Sequence, residues 1–166
     1  MAFELKRLSR SSLDAAMRKA AHYRDLNQPE EAESICRDVL DVEPEHALAL
    51  RLLGLALTDR FATGRVGLLE EALAVFSKLT DAYERTYHLG VAWERAAKAH
   101  LERNEAHNAA AAFERALRHY EEAESLDPGS PDPLLRWNRC VRLLAQNAAL
   151  RDAMQAPRES QAHLGD

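Results

Sequence analysis

Seven histidines and two cysteines carry most of the reactive chemistry in this chain, and their spacing decides what they permit. Di-iron helical bundles draw on two Glu-x-x-His motifs plus two further glutamates. Here the run Glu43-Pro44-Glu45-His46 occurs once, across a proline turn, with no second copy. Glu84 and His88 stand at i, i+4, and an expected helix end separates His100 from His107. The spacing favours solvated or hydrogen-bonded histidines over a ligand set, so no metal or other cofactor is expected. Cys36 falls on an apolar stripe, where burial disfavours the thiolate. Cys140 lies between Arg139 and Arg142, which would lower its pKa if it faced outward, but no partner base is identifiable. Neither thiol has C-x-x-C spacing, so a disulfide framework is not expected. Gly64-Arg65-Val66-Gly67 lacks the Gly-Lys-Ser/Thr ending of a phosphate loop and any strand before it, and reads as a connector. No catalytic residue emerges, and the chain reads as non-enzymatic.

Charge narrows the partners. Lys and Arg number 22 against 27 Asp and Glu, a net charge of −5 that argues against a general nucleic-acid binder. Met1-Ala2-Phe3-Glu4-Leu5-Lys6 interleaves charge with apolar residues and so lacks the apolar core of a secretory signal. Nothing downstream reaches the eighteen or more apolar residues of a membrane span. Lys6, Arg7 and Arg10 with nearby serines mimic a transit peptide, but Glu4 and Asp14 count against it. A cytoplasmic protein with no membrane contact is expected.

The elements that must position these residues are helical throughout. Ala, Leu, Glu and Arg dominate, with only six Gly, six Pro and 6% aromatics, a mixture that favours helix and leaves little for sheet. One eight-residue word recurs: Ala32, Cys36, Val39; then Ala72, Phe76, Leu79; then Ala109, Phe113, Ala116. Small, bulky at +4, apolar at +3 places three side chains on one helical stripe. A second small residue precedes each copy, Ala20, Gly54 or Ala97, so each copy reads as two antiparallel helices whose backbones approach at the small positions. Helices are expected from Leu13 to Leu26, from Pro29 to about Val42, from Leu48 toward Phe61, and from Leu68 to about Tyr83. A break within Asp81 to Thr86 precedes the next helix, which ends near Arg103-Asn104. An overlong helix then runs from His107 to Leu126, and a last one, with Ser130 as N-cap, carries Leu134, Trp137, Val141 and Leu144. The resulting division is an extension at 1–10, a helical domain at 11–147 and a partly disordered tail at 148–166. Within the domain the units are about 12–44, 46–83 and 86–127, plus a capping helix at 131–147 with one polar face to end the stack.

This arrangement resembles the tetratricopeptide repeat, whose helix pair carries W-x2-L-G-x2-Y, then A-x3-F, then a closing Pro. Leu53-Gly54 with Leu57 matches the first part in the second unit, and Trp93, Ala96, Ala97 and His100 match it in the third. Ala72/Phe76 and Ala109/Phe113 supply A-x3-F, with Cys36 in the Phe place of the first unit. Pro44 closes that unit, Asp127-Pro128 closes the third seven residues late, and the second has no closing Pro. The resemblance implies an all-α, right-handed α-solenoid of about three helix pairs plus a C-terminal capping helix. It further implies a concave face lined by the first helix of each pair: Met17, Ala21 and Arg24; Arg51, Leu55 and Thr58; Glu94, Lys98 and Leu101; Leu135, Arg139 and Arg142. The asparagines that chaperone-tail binders use are absent at the matching places. Arg51, Leu55, Glu94, Lys98, Arg139 and Arg142 are the expected partner-binding residues, suited to an acidic peptide or protein; the alternative is that the cations only solubilise the face. Two competing readings are a homodimer through the overlong helix or an exposed Trp137 surface, and an enzyme or metal protein using the bundle interior.

Overall fold

The computed structural model describes residues 3–156. These form eight α-helices and no strand: α1 Leu13–Asp25, α2 Pro29–Val42, α3 Ala47–Asp59, α4 Leu68–Ser77, α5 Ala82–Glu102, α6 Ala106–Leu126, α7 Asp132–Gln146 and α8 Ala148–Gln155. Short 3-10 turns stand at Arg10–Ser12 and Phe61–Thr63. No helix among the described residues is long and apolar enough to cross a membrane.

Local chemistry sets the boundaries. Pro29 opens α2 at the position where its missing N–H costs nothing, with Glu30 and Glu31 at the positive end of the helix dipole. α1 and α5 end alike. Asn27 and Asn104 take left-handed backbone conformations, and the following amides, Gln28 and Glu105, donate 2.9 Å bonds to the carbonyls of Tyr23 and His100. Asparagine tolerates that conformation better than most residues, so two orphan carbonyls are satisfied and the chain reverses tightly. The connector from Thr63 to Gly67 turns on Gly64 and Gly67, with φ of 73° and 87°.

Three boundaries differ from the sequence reading. The break between α4 and α5 falls at residues 78–81, because the Asp81 carboxylate caps α5 by accepting the Glu84 N–H at 2.8 Å and Arg85 donates to the Leu79 carbonyl at 2.7 Å. The N-cap position of α7 is Pro131 and not Ser130, whose hydroxyl accepts a long 3.4 Å bond from the Asp132 N–H and bonds the Tyr83 hydroxyl at 2.7 Å. Residues 148–155, assigned to a partly disordered tail, form α8: Asn147 caps it by accepting the Leu150 N–H at 3.1 Å, and Leu150 is fully buried. The rest of the tail, residues 157–166, lies outside the described residues. The 131–147 helix therefore does not close the fold with a polar face: α8 follows it, and its outer surface carries exposed Leu134, Leu135 and Val141.

Each helix packs on the next, with further contacts of α1 on α3, α3 on α5 and α8 on α6. In the pair formed by α5 and α6, Gly90 faces Tyr120 and the Arg115 guanidinium lies 4.4 Å over the Trp93 ring, so the two helices run in opposite directions. Two apolar clusters result. One gathers α1 to α4 with the α4-facing side of α5, including Met17, Cys36, Leu57 and Phe76. The other joins α5 to α8 around Val91, Phe113, Tyr120 and Leu150, and Leu55 packs against both. Ion pairs join alternate helices: Arg24 to Asp59, Arg37 to Glu71, Arg51 to Glu84 and Arg95 to Asp59, at sequence separations of 35, 34, 33 and 36.

Candidate partner-binding face

α1, α3, α5 and α7 carry the residues expected to meet a partner, and the structure sorts them into three groups. The first is already occupied with its own protein. Arg24 Nε lies 2.7 Å from Asp59, and Arg51 Nη1 lies 3.4 Å from Glu84 Oε2, each pair linking one helix to the next but one. Thr58 is buried, donating 2.7 Å to the Leu55 carbonyl and accepting from Arg95. Met17 is buried too, at the floor of a slot of about 320 Å³ between α1 and α3 that Ala21, Leu48 and Leu52 also line.

The second group is withdrawn from the surface, and here the expectation for Glu94 is corrected. Its side chain is completely buried where α5, α6 and α7 meet. The Tyr120 hydroxyl donates 2.6 Å to Oε2, Lys98 pairs with Oε1, and Arg136 Nη1 stands 3.4 Å from both oxygens. Burial alone pushes the Glu94 carboxyl up. The hydrogen bonds from Lys98 and Tyr120 and the charges of Lys98 and Arg136 outweigh that, and it titrates below its ordinary value of 4.5. Burial and the neighbouring carboxylate raise the Tyr120 phenol, so it stays a donor. Glu94 therefore fastens three helices together rather than touching a ligand, and Lys98, though partly exposed, is paired with that buried carboxylate. Cys140, one turn from Arg136, is fully buried, and burial pushes its thiol up to about 12, as it does for Cys36. Arg139 and Arg142 do not activate it, because the thiol faces the core.

The third group is free. Arg139 and Arg142 on α7 are exposed and form no ion pair among the described residues. Leu135, one turn before Arg139, is 60% exposed. Leu55 is half-buried and packs against both apolar clusters.

Tyr83 and Tyr87 on α5 and Arg136 on α7 form a further polar cluster absent from the sequence reading. The two tyrosine rings stack at 5.9 Å and 13°, and Arg136 Nε donates to the Tyr87 hydroxyl at 3.4 Å. Their i, i+4 spacing was a readable signal, obscured because Tyr83 fell inside the expected helix break. His88, by contrast, is buried: its Nδ1 bonds the Glu84 carbonyl at 2.7 Å, which can only accept, so Nδ1 holds the proton. Among the described residues no three or more His, Cys, Asp or Glu side chains gather as a metal would need. No protein-family model and no curated protein sequence matches this chain.

Proposed function

We propose that this protein is a non-enzymatic interaction module of the tetratricopeptide type, a right-handed stack of helix pairs that holds an acidic peptide or protein segment on the face shared by α3, α5 and α7. Two features support the architecture. Four ion pairs between alternate helices stand at separations of 33 to 36 residues, close to the 34-residue length of such a repeat, while Glu94 to Arg136 spans 42. Gly54 lies against Phe76 and Gly90 against Tyr120, the small-against-bulky contact such helix pairs use.

The observation that carries the functional reading is the charge state of α7. Arg139 and Arg142 project from a protein of net charge −5 with no ion-pair partner among the described residues, one and two turns along α7 from exposed Leu135. Arginine is among the residue types that contribute most binding energy at protein interfaces. A carboxylate-bearing segment gains charge-assisted hydrogen bonds there without breaking an internal pair. Arg51 and Lys98 contribute long-range attraction only, because each already faces a glutamate. The two buried, unpaired thiols suit a reducing compartment, and we assign the protein to the cytoplasm.

Selection from a display library of random peptides tests the reading. Enrichment of sequences carrying two or more Asp or Glu with an apolar residue between them is expected. Selection of neutral or basic sequences alone would reject it.

A further inference from the structure

We propose that the α6–α7 end of one molecule receives the N-terminal arm of a second copy, so that the protein associates head to tail. The receiving surface is built from two elements. The end of α6 and the residue after it present Glu121, Glu122, Glu124 and Asp127, all exposed and none in an ion pair with a described Lys or Arg. Beside them a slot of about 230 Å³ is lined by Glu121, Glu124, Leu134, Trp137 and Asn138. Two carboxylates at the mouth of an aromatic and apolar slot suit one kind of side chain: a long cation whose methylene stem lies on the Trp and Leu while its head meets the acids. Leu134 and Leu126 widen the apolar margin, each more than two-fifths exposed. Among the described residues only α6 and α7 line this slot.

The complementary surface is at the other end of the chain. Residues 3–9 adopt no regular structure. Leu8 packs against the first apolar cluster and Arg7 lies 3.7 Å from Asp41, which fixes the base of the arm. Beyond it Phe3 and Leu5 are 95% and 96% exposed, with exposed Glu4 between them and Lys6 beside them exposed and unpaired. Two large apolar side chains held wholly in water, next to a free cation, are what the acidic slot and its leucine margin lack. The arm is anchored on the cluster of α1 to α4 and the slot belongs to α6 and α7, so the two surfaces differ and the association is heterologous: it propagates instead of stopping at a symmetric pair. This inference is independent of the face carrying Arg139 and Arg142.

Sedimentation of the full chain from micromolar to near-millimolar concentration tests it. At low salt the weight-average mass is expected to climb past twice the 18.6 kDa monomer, and at high salt to fall back to it. Removing residues 2–7, or replacing Glu121→Lys with Glu124→Lys, is expected to leave a monomer of unchanged helical circular dichroism. A mixture of these two variants decides the matter, because one keeps the slot and the other keeps the arm: together they should form a single one-to-one heterodimer and nothing larger. A wild-type mass that stays at the monomer value throughout would overturn the proposal and leave the slot to a foreign basic segment. So would association that survives in either variant, or a mixture that stays unpaired.

Discussion

The ring of Phe76 fills the space that a side chain on Gly54 needs: a β-carbon there would lie 2.7 Å from Cδ1 and closer still to the ring edge. Phe76 is fully buried and cannot swing away, so α3 and α4 would be forced apart. Gly54→Ala is therefore expected to destabilise the fold by roughly 1–3 kcal/mol, the usual cost of overpacking a filled core. Gly64→Ala meets open space and costs only the backbone strain of a positive φ, about 1 kcal/mol. Urea unfolding of the two variants measures the difference; equal midpoints would contradict the close approach of α3 and α4 at Gly54.

Tyr120 and Glu94 give the second prediction. Removing the hydroxyl leaves a buried carboxylate short of a donor, and Tyr120→Phe is expected to cost about 1–3 kcal/mol near neutral pH. The Glu94 carboxyl titrates below 4.5 in the folded protein. Its contribution is therefore complete above that pH and drains away as pH falls through the folded value, because the unfolded chain takes up the proton first. Unfolding free energy followed from neutral to strongly acidic pH should fall less steeply in Glu94→Gln than in the wild type. Parallel curves would remove Glu94 from the acid response.

His88 works in a higher window. Burial disfavours its charged form and holds its pKa below 6.5, although the Glu84 carbonyl and carboxylate pull the other way. Between 6.5 and the folded value the unfolded state binds more protons, so stability declines as pH drops through that interval. His119 is shifted in the same direction by the same cause. The variant His88→Asn with His119→Asn is expected to flatten the stability profile just below pH 6.5, and an unchanged slope there would refute the assignment.

Leu150 tests whether α8 belongs to the folded core. Its side chain is fully buried in the cluster built on α6 and α7. Leu150→Ala is expected to cost about 2–5 kcal/mol, and a chain ending at Asn147 should melt well below the full-length protein in a thermal scan. Identical melting would return residues 148–155 to the status of a tail.

How far the sequence could be read depended on which contacts a given residue needs. Gly54, Ala72, Ala97 and Ala109 were legible because close helix approach tolerates little else, and the pattern repeats. Asp81-Ala82-Tyr83-Glu84 carried a capping signal, but strong helix formers on both sides hid the break. α8 is a single short amphipathic segment whose start signal, Asn147, is followed by two alanines that fit helix or tail equally. Glu94 was the deepest misreading. On its own helix it looks like one more surface acid, and its burial follows only from Arg136 and Tyr120 arriving from two other helices, a coincidence no local pattern records. The same event turned Lys98 from a binding residue into half of an internal pair. Arg139 and Arg142 are exposed, and no described carboxylate pairs with either.

That difference between answered and unanswered cations identifies the most direct measurement. Charge reversal at Lys98 would place a carboxylate against buried Glu94 and report on folding, whereas Arg139 and Arg142 are free to be changed. Fluorescence anisotropy of a labelled acidic peptide taken from the selection, titrated with wild type and with Arg139→Glu plus Arg142→Glu, reads the claim. The account predicts at least about a tenfold loss of affinity with unchanged helical circular dichroism. Equal affinity in the two proteins would contradict it.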